Sequence, residues 1–154
     1  MTNTKFFQFE ADFVSSLRCI PMVVRYKLDT CGIKLKLSHW NHFNLAEREA
    51  LVDLPCVTTS EINTYREFLQ ELVIKQTGAP ASELAIEENP AWMDSKTIPA
   101  EVLDKAQQEG VNITTEKWAK LSPLQRFVLI KLSRPSHENS NFSPAIKEFK
   151  LMEN

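Results

Sequence analysis

IPMVVRYKLDTCGIKLKLSHWNHFNLAEREALVDL, residues 20–54, and IPAEVLDKAQQEGVNITTEKWAKLSPLQRFVLIKL, residues 98–132, are two versions of one segment, offset by 78 positions without a gap. Nine of the 35 pairs are identical: Ile20/Ile98, Pro21/Pro99, Val24/Val102, Lys27/Lys105, Gly32/Gly110, Trp40/Trp118, Arg48/Arg126, Leu51/Leu129 and Leu54/Leu132. Chance gives about two, and internal repetition of this kind decides an architecture before any single motif does.

Each copy carries the same punctuation. Pro21 and Pro99 stand at helix starts, where a missing N–H is no loss and the fixed φ is already helical. The helix runs to Gly32 or Gly110, the residue type that takes the left-handed turn after a helix. A connector with alternating apolar residues (Ile33, Leu35, Leu37; Val111, Ile113) leads to Trp40 or Trp118. Capping boxes follow, Asn44 with Glu47 and Ser122 with Gln125, and Pro123 strengthens the second. Leu45–Leu54 is amphipathic, whereas Leu124–Leu132 is apolar almost all round and implies a helix covered on several sides. A third helix closes each copy, Glu61–Gln76 after Ser60 as cap and Pro144–Leu151 near the end. The expectation is an all-α fold in a single domain over residues 1–154. It comprises two quasi-repeats of about three helices each, Ile20–Gln76 and Ile98–Leu151, packed about a pseudo-two-fold around Trp40, Trp118 and the 124–132 helix.

Residues 77–97 hold Gly78, Pro80, Pro90 and four acids with little periodicity, which reads as an acidic linker. Trp92 within it reads as an anchor holding that loop to a core. Phe6, Phe7, Phe9 and Phe13 fit helix and strand spacing about equally, and are read as a short extended N-terminal arm.

Composition narrows the function. Three glycines in 154 residues leave no phosphate-cradling glycine loop, and a net charge of −2 lacks the basic excess of a nucleic-acid binder. No stretch approaches the roughly 18–20 apolar residues of a membrane span, and the N-terminus has no cleavage-site pattern. Three cysteines, an odd number, fit a reducing compartment, so a cytoplasmic location is expected. Charge is uneven along the chain: residues 77–116 carry eight acids against two bases, and 117–150 carry seven bases against two acids. The basic stretch reads either as a docking face for an acidic partner or as a solvated helix face.

Cys19, Cys31, Cys56, His39 and His42 form the metal-like set, since thiolate and imidazole are zinc ligands. The spacing is poor: a helix between Cys19 and Cys31 separates them by roughly 18 Å, too far for a shared metal or disulfide. No hydrolase nucleophile motif and no Cys-x-x-Cys is present. Residues 133–142 are the densest polar loop. Arg134, His137, Glu138, Asn139 and Asn141 can be placed there to bind a partner, or can serve local caps and turns. Arg18, Arg25 and Lys27 make a second polar run along the first helix, read as a further contact surface or as a solvated face.

The strings SLRCIPM (16–22), VRYKLDTCGIKLKL (24–37), YREFL (65–69), LIKLSRP (129–135) and HEN (137–139) followed by NF (141–142) resemble the nitrate reductase-associated protein family of cyanobacteria. The likeness spans nearly the whole chain. It implies a small non-catalytic accessory protein, without a cofactor of its own, that binds a ferredoxin-dependent assimilatory nitrate reductase carrying molybdenum and iron–sulfur centres. It names no catalytic residue. The alternative from the residues is a small metal- or cofactor-binding protein using the Cys and His set.

Overall fold

A computed structural model describes residues 6–11, 17, 19–135 and 140–151. Among them are eight α-helices and a two-stranded antiparallel sheet, so the fold is broadly all-α. The chain divides into two compact units. The first holds Phe6 and Glu10–Ile86, and the second Phe7–Phe9 and Glu87 onward.

In the first unit, α1 (Met22–Cys31) ends where Gly32 takes a φ of +76° and donates its N–H to Leu28 O. Glycine is required here twice over. The left-handed φ disfavours any side chain, and a Cβ would stand 2.7 Å from Ile86 Cγ1 and 2.9 Å from Leu84 O. That close approach comes from β1 (Ile33–Lys34) pairing with β2 (Ser82–Glu83), extended by the Leu84 N–H to Gly32 O bond. The segment read as a linker therefore carries a strand. Gln70 adds to its attachment, its amide exchanging two hydrogen bonds with the backbone of Ala81.

The Trp40 connector is itself a short helix, α2 (Leu37–His42), so the described residues of this unit hold four helices rather than three. Next, α3 (Leu45–Asp53) starts in the expected capping box. Glu47 N–H donates to Asn44 Oδ1, and Asn44 N–H to Glu47 Oε1, each at 2.8 Å. The long α4 (Thr59–Thr77) is capped by Thr58, not Ser60, with Glu61 reaching back to the Val57 and Thr58 N–H groups. Those two bonds hold the Glu61 carboxyl below its ordinary range. Val24, Cys31, Ile33, Trp40, Leu51, Tyr65, Leu69 and Val73 make the core. The Tyr65 hydroxyl, buried with its ring, donates to Leu51 O at 2.7 Å, which avoids an unpaired polar group.

In the second unit a 3₁₀ turn (Ala91–Met93) precedes α5 (Ala100–Gln108). Gly110 closes α5 with φ +72°, its N–H on Gln107 O and the Val111 N–H on Ala106 O, a Schellman motif. The short α6 (Thr115–Lys120) carries Trp118 and starts at a Thr114 cap. Then α7 (Pro123–Ser133) begins in the Ser122–Gln125 capping box. Its residues from Arg126 to Ile130, with Leu132 and Ser133, are all buried, as its apolar sequence implies. Trp92 does anchor its loop, half-buried with its ring edge-on to Phe127 at 5.2 Å. Last comes α8 (Phe142–Glu148), two residues earlier than the proline suggests, because a proline in the first turn breaks no helical bond. It ends in a second Schellman motif, with Lys150 N–H on Lys147 O and Leu151 N–H on Ile146 O. Here the left-handed residue is not glycine but Lys150, φ +60°. That choice costs on the order of 1 kcal/mol.

Candidate functional site

The polar run along α1 is largely occupied by the chain's own backbone. Lys27 Nζ donates to both Val52 O and Leu54 O at 2.6 Å, and sits 5.7 Å over the Tyr65 ring. A charged donor shared between two carbonyls fixes the loop after α3. Arg25 Nε donates to Ile20 O at 3.2 Å. Arg18, His137, Glu138 and Asn139 lie outside the described residues. Of the remaining loop residues, Arg134 is exposed and forms a 3.5 Å ion pair with Glu101. Asn141 stands in the N-cap position of α8 without a side-chain capping bond.

The cysteine and histidine set does not converge. Cys19 is half-buried, Cys31 and Cys56 are buried, and all three are free thiols. Burial pushes the Cys31 thiol up to about 12, helped by neighbouring Cys56 and opposed by Arg66. Burial likewise pushes Cys56 up to about 11, against the pull of Lys27 and Arg66. Thiols this protonated at neutral pH are poor ligands and poor nucleophiles. His39 Nδ1 accepts the Lys36 N–H at 3.2 Å, and partial burial and Lys36 lower its pKa. His42 Nδ1 meets Ser38 O at 2.6 Å, so both rings are used at the ends of their own helix. Among the described residues no group of three or more His, Cys, Asp or Glu side chains can hold a metal.

The polar groups that do converge are two arginine–tryptophan pairs. Arg48 donates to Trp40 O (3.1 Å), Leu17 O (3.0 Å) and Asn41 O (3.0 Å), and the Trp40 indole N–H meets the same Leu17 O at 2.8 Å. Leu17, buried, holds that carbonyl in place with a left-handed φ of +58°. In the second unit Arg126, 6 % exposed, donates twice to Leu121 O and once to Trp92 O. The Trp118 indole N–H takes Asp94 O at 2.9 Å. Each pair ties a short tryptophan helix to the chain preceding its unit's first long helix. The identities Arg48/Arg126 and Trp40/Trp118 marked these residues in the sequence, but nothing there showed that they act together.

A buried carboxylate also escaped sequence reading. Glu10 is 1 % exposed, and its Oε1 accepts the Met22 N–H at 3.0 Å. It supplies the side-chain acceptor that Pro21, in the N-cap position, lacks.

Arginines fastened to carbonyls, protonated thiols and histidines spent on helix ends together define a helical protein whose described polar interior serves its own architecture. The profile of the conserved nitrate reductase-associated protein family matches residues 6–149, and the chain belongs to that family. No curated protein and no solved structure matches it.

Proposed function

We propose that the protein is a non-catalytic accessory factor that binds a ferredoxin-dependent assimilatory nitrate reductase and supports its assembly, cofactor loading or electron delivery. The match to the nitrate reductase-associated family over residues 6–149 carries this reading. The use of Arg48, Arg126 and Lys27 as internal fasteners, and the elevated Cys31 and Cys56 thiols, agree with it. In the same reading, residues 20–76 and 98–151 are copies of one ancestral unit, and the basic stretch 117–150 with the polar loop around Arg134 meets the partner.

The test is co-expression of the reductase with and without this protein, followed by molybdenum and iron determination per purified reductase. Lower metal content in its absence identifies a maturation role. Full metal content with poor ferredoxin-dependent activity identifies electron delivery. Full content and full activity would sink the proposal.

A further inference from the structure

We infer that Lys120, Lys147 and Lys150, gathered beside Lys117, form one docking face for an acidic, carboxylate-bearing protein surface on the reductase. This rests on the function proposed above and names the surface that performs it. Two separate elements bring these lysines together. Lys117 Nζ on α6 lies 3.5 Å from Leu151 O, just past the end of α8. Lys120 follows Lys117 by three residues and shares its side of α6. Lys150 immediately precedes Leu151, and Lys147, four residues before Leu151, is joined to Lys150 by the bond closing α8.

Lys120, Lys147 and Lys150 are exposed, and none is ion-paired to a described residue. No carboxylate among the described residues is ion-paired to these three lysines. The Glu148 carboxylate accepts the Phe9 N–H at 3.0 Å, and Glu116 has no ion pair among the described residues.

The backbone at Lys150 is the second observation. Its position in the Schellman motif is the one Gly110 fills in the same unit, and a left-handed φ suits glycine far better. A lysine there keeps a basic side chain at the end of α8, at the expense of local stability. Sites that break a local rule in this way are where function is expected.

Residue type selects the partner. Phosphate recognition favours the bidentate arginine fork, but Arg126 is buried on carbonyls and Arg134 is paired with Glu101. Solvated lysine point charges instead suit a rim of carboxylates, which steers encounter and fixes orientation.

Binding of the purified full-length chain to purified reductase tests this, measured by calorimetry at low salt and at about 0.3 M salt, where screening is strong. Wild type is expected to bind, and to weaken with salt. The triple variant Lys120→Glu/Lys147→Glu/Lys150→Glu should bind about tenfold or more weakly. Lys150→Gly should melt at a higher temperature yet bind about two- to threefold more weakly; a merely structural lysine would raise the melting temperature alone. Should the triple variant fail to fold, Lys120→Gln/Lys147→Gln replaces it, with a smaller loss expected. Undiminished binding by a folded charge variant overturns this face and leaves the accessory function standing. No binding by wild type overturns the accessory function, and the face with it.

Discussion

Arg48 and Arg126, paired when the sequence is aligned with itself at an offset of 78, do related work under different conditions. Arg48 is half-buried and spreads its guanidinium over three carbonyls, one of them also held by the Trp40 indole. Arg126 is almost fully buried and concentrates two of its donors on Leu121 O. Water can replace the first guanidinium in part, but has little access to the second. A similar fastener is therefore worth different amounts in the two units, and burial sets the difference.

Arg126→Met keeps the stem and removes every donor, stranding the buried Leu121 O bonds and the Trp92 O bond. It should cost about 3 kcal/mol or more in urea denaturation, while Arg48→Met should cost about 1–2 kcal/mol. Equal losses would break the contrast. The glycines give a second, smaller one. Gly32→Ala meets both a left-handed φ and the Ile86 and Leu84 atoms, whereas a Cβ at Gly110 meets nothing within 4 Å. About 2–3 kcal/mol is expected at Gly32 and about 1 at Gly110, from calorimetric melting. A match between the two would show that the 84–86 segment simply moves aside.

Alkaline pH sharpens the comparison, because all three cysteines belong to the first unit. Cys31 and Cys56 titrate near 12 and 11 when folded, above the ordinary value of 9. The folded state thus binds these protons more tightly than the unfolded one. Their contribution is complete below about pH 9 and is lost as pH rises toward 11–12. Urea midpoints from pH 8 to 11 should fall, less so in Cys31→Ala, and Cys19 should react with a thiol reagent before the other two. A fall unchanged by Cys31→Ala would remove the thiols from the account. Smallest is a swap at the Schellman position: Lys150→Gly should gain about 1 kcal/mol, and Gly110→Lys should lose a similar amount.

The sequence was most legible where chemistry is local. Asn44 with Glu47, Ser122 with Gln125, and the glycines after α1 and α5 sit where their residue types say they should, since a cap depends on neighbours three positions away. The tryptophan helices were missed because six residues do not complete two turns, too few to show a helical period. Thr58 displaced Ser60 because either can cap; Glu61, three residues after Thr58, completes the box. The strand at 82–83 is too short to alternate. Its place follows from Gly32 and Gln70, which are distant in sequence. Glu10 was out of reach for the same reason: its acceptor role lies twelve residues away across a fold.

Phe9 donates its N–H to Glu148, 139 residues later, and Phe7 stacks on Phe9 and meets Phe149 edge-on. On a ribosome, then, Phe7 and Phe9 emerge long before the partners they meet at Glu148 and Phe149. Until residues 148–149 are made, Phe7 and Phe9 lack these contacts, although Glu10 beside them can already reach Met22. The second unit therefore cannot be finished by its own stretch of chain. It depends on a segment made long before the rest of it, so its completion ties together the two ends of the stretch from Phe7 to Phe149.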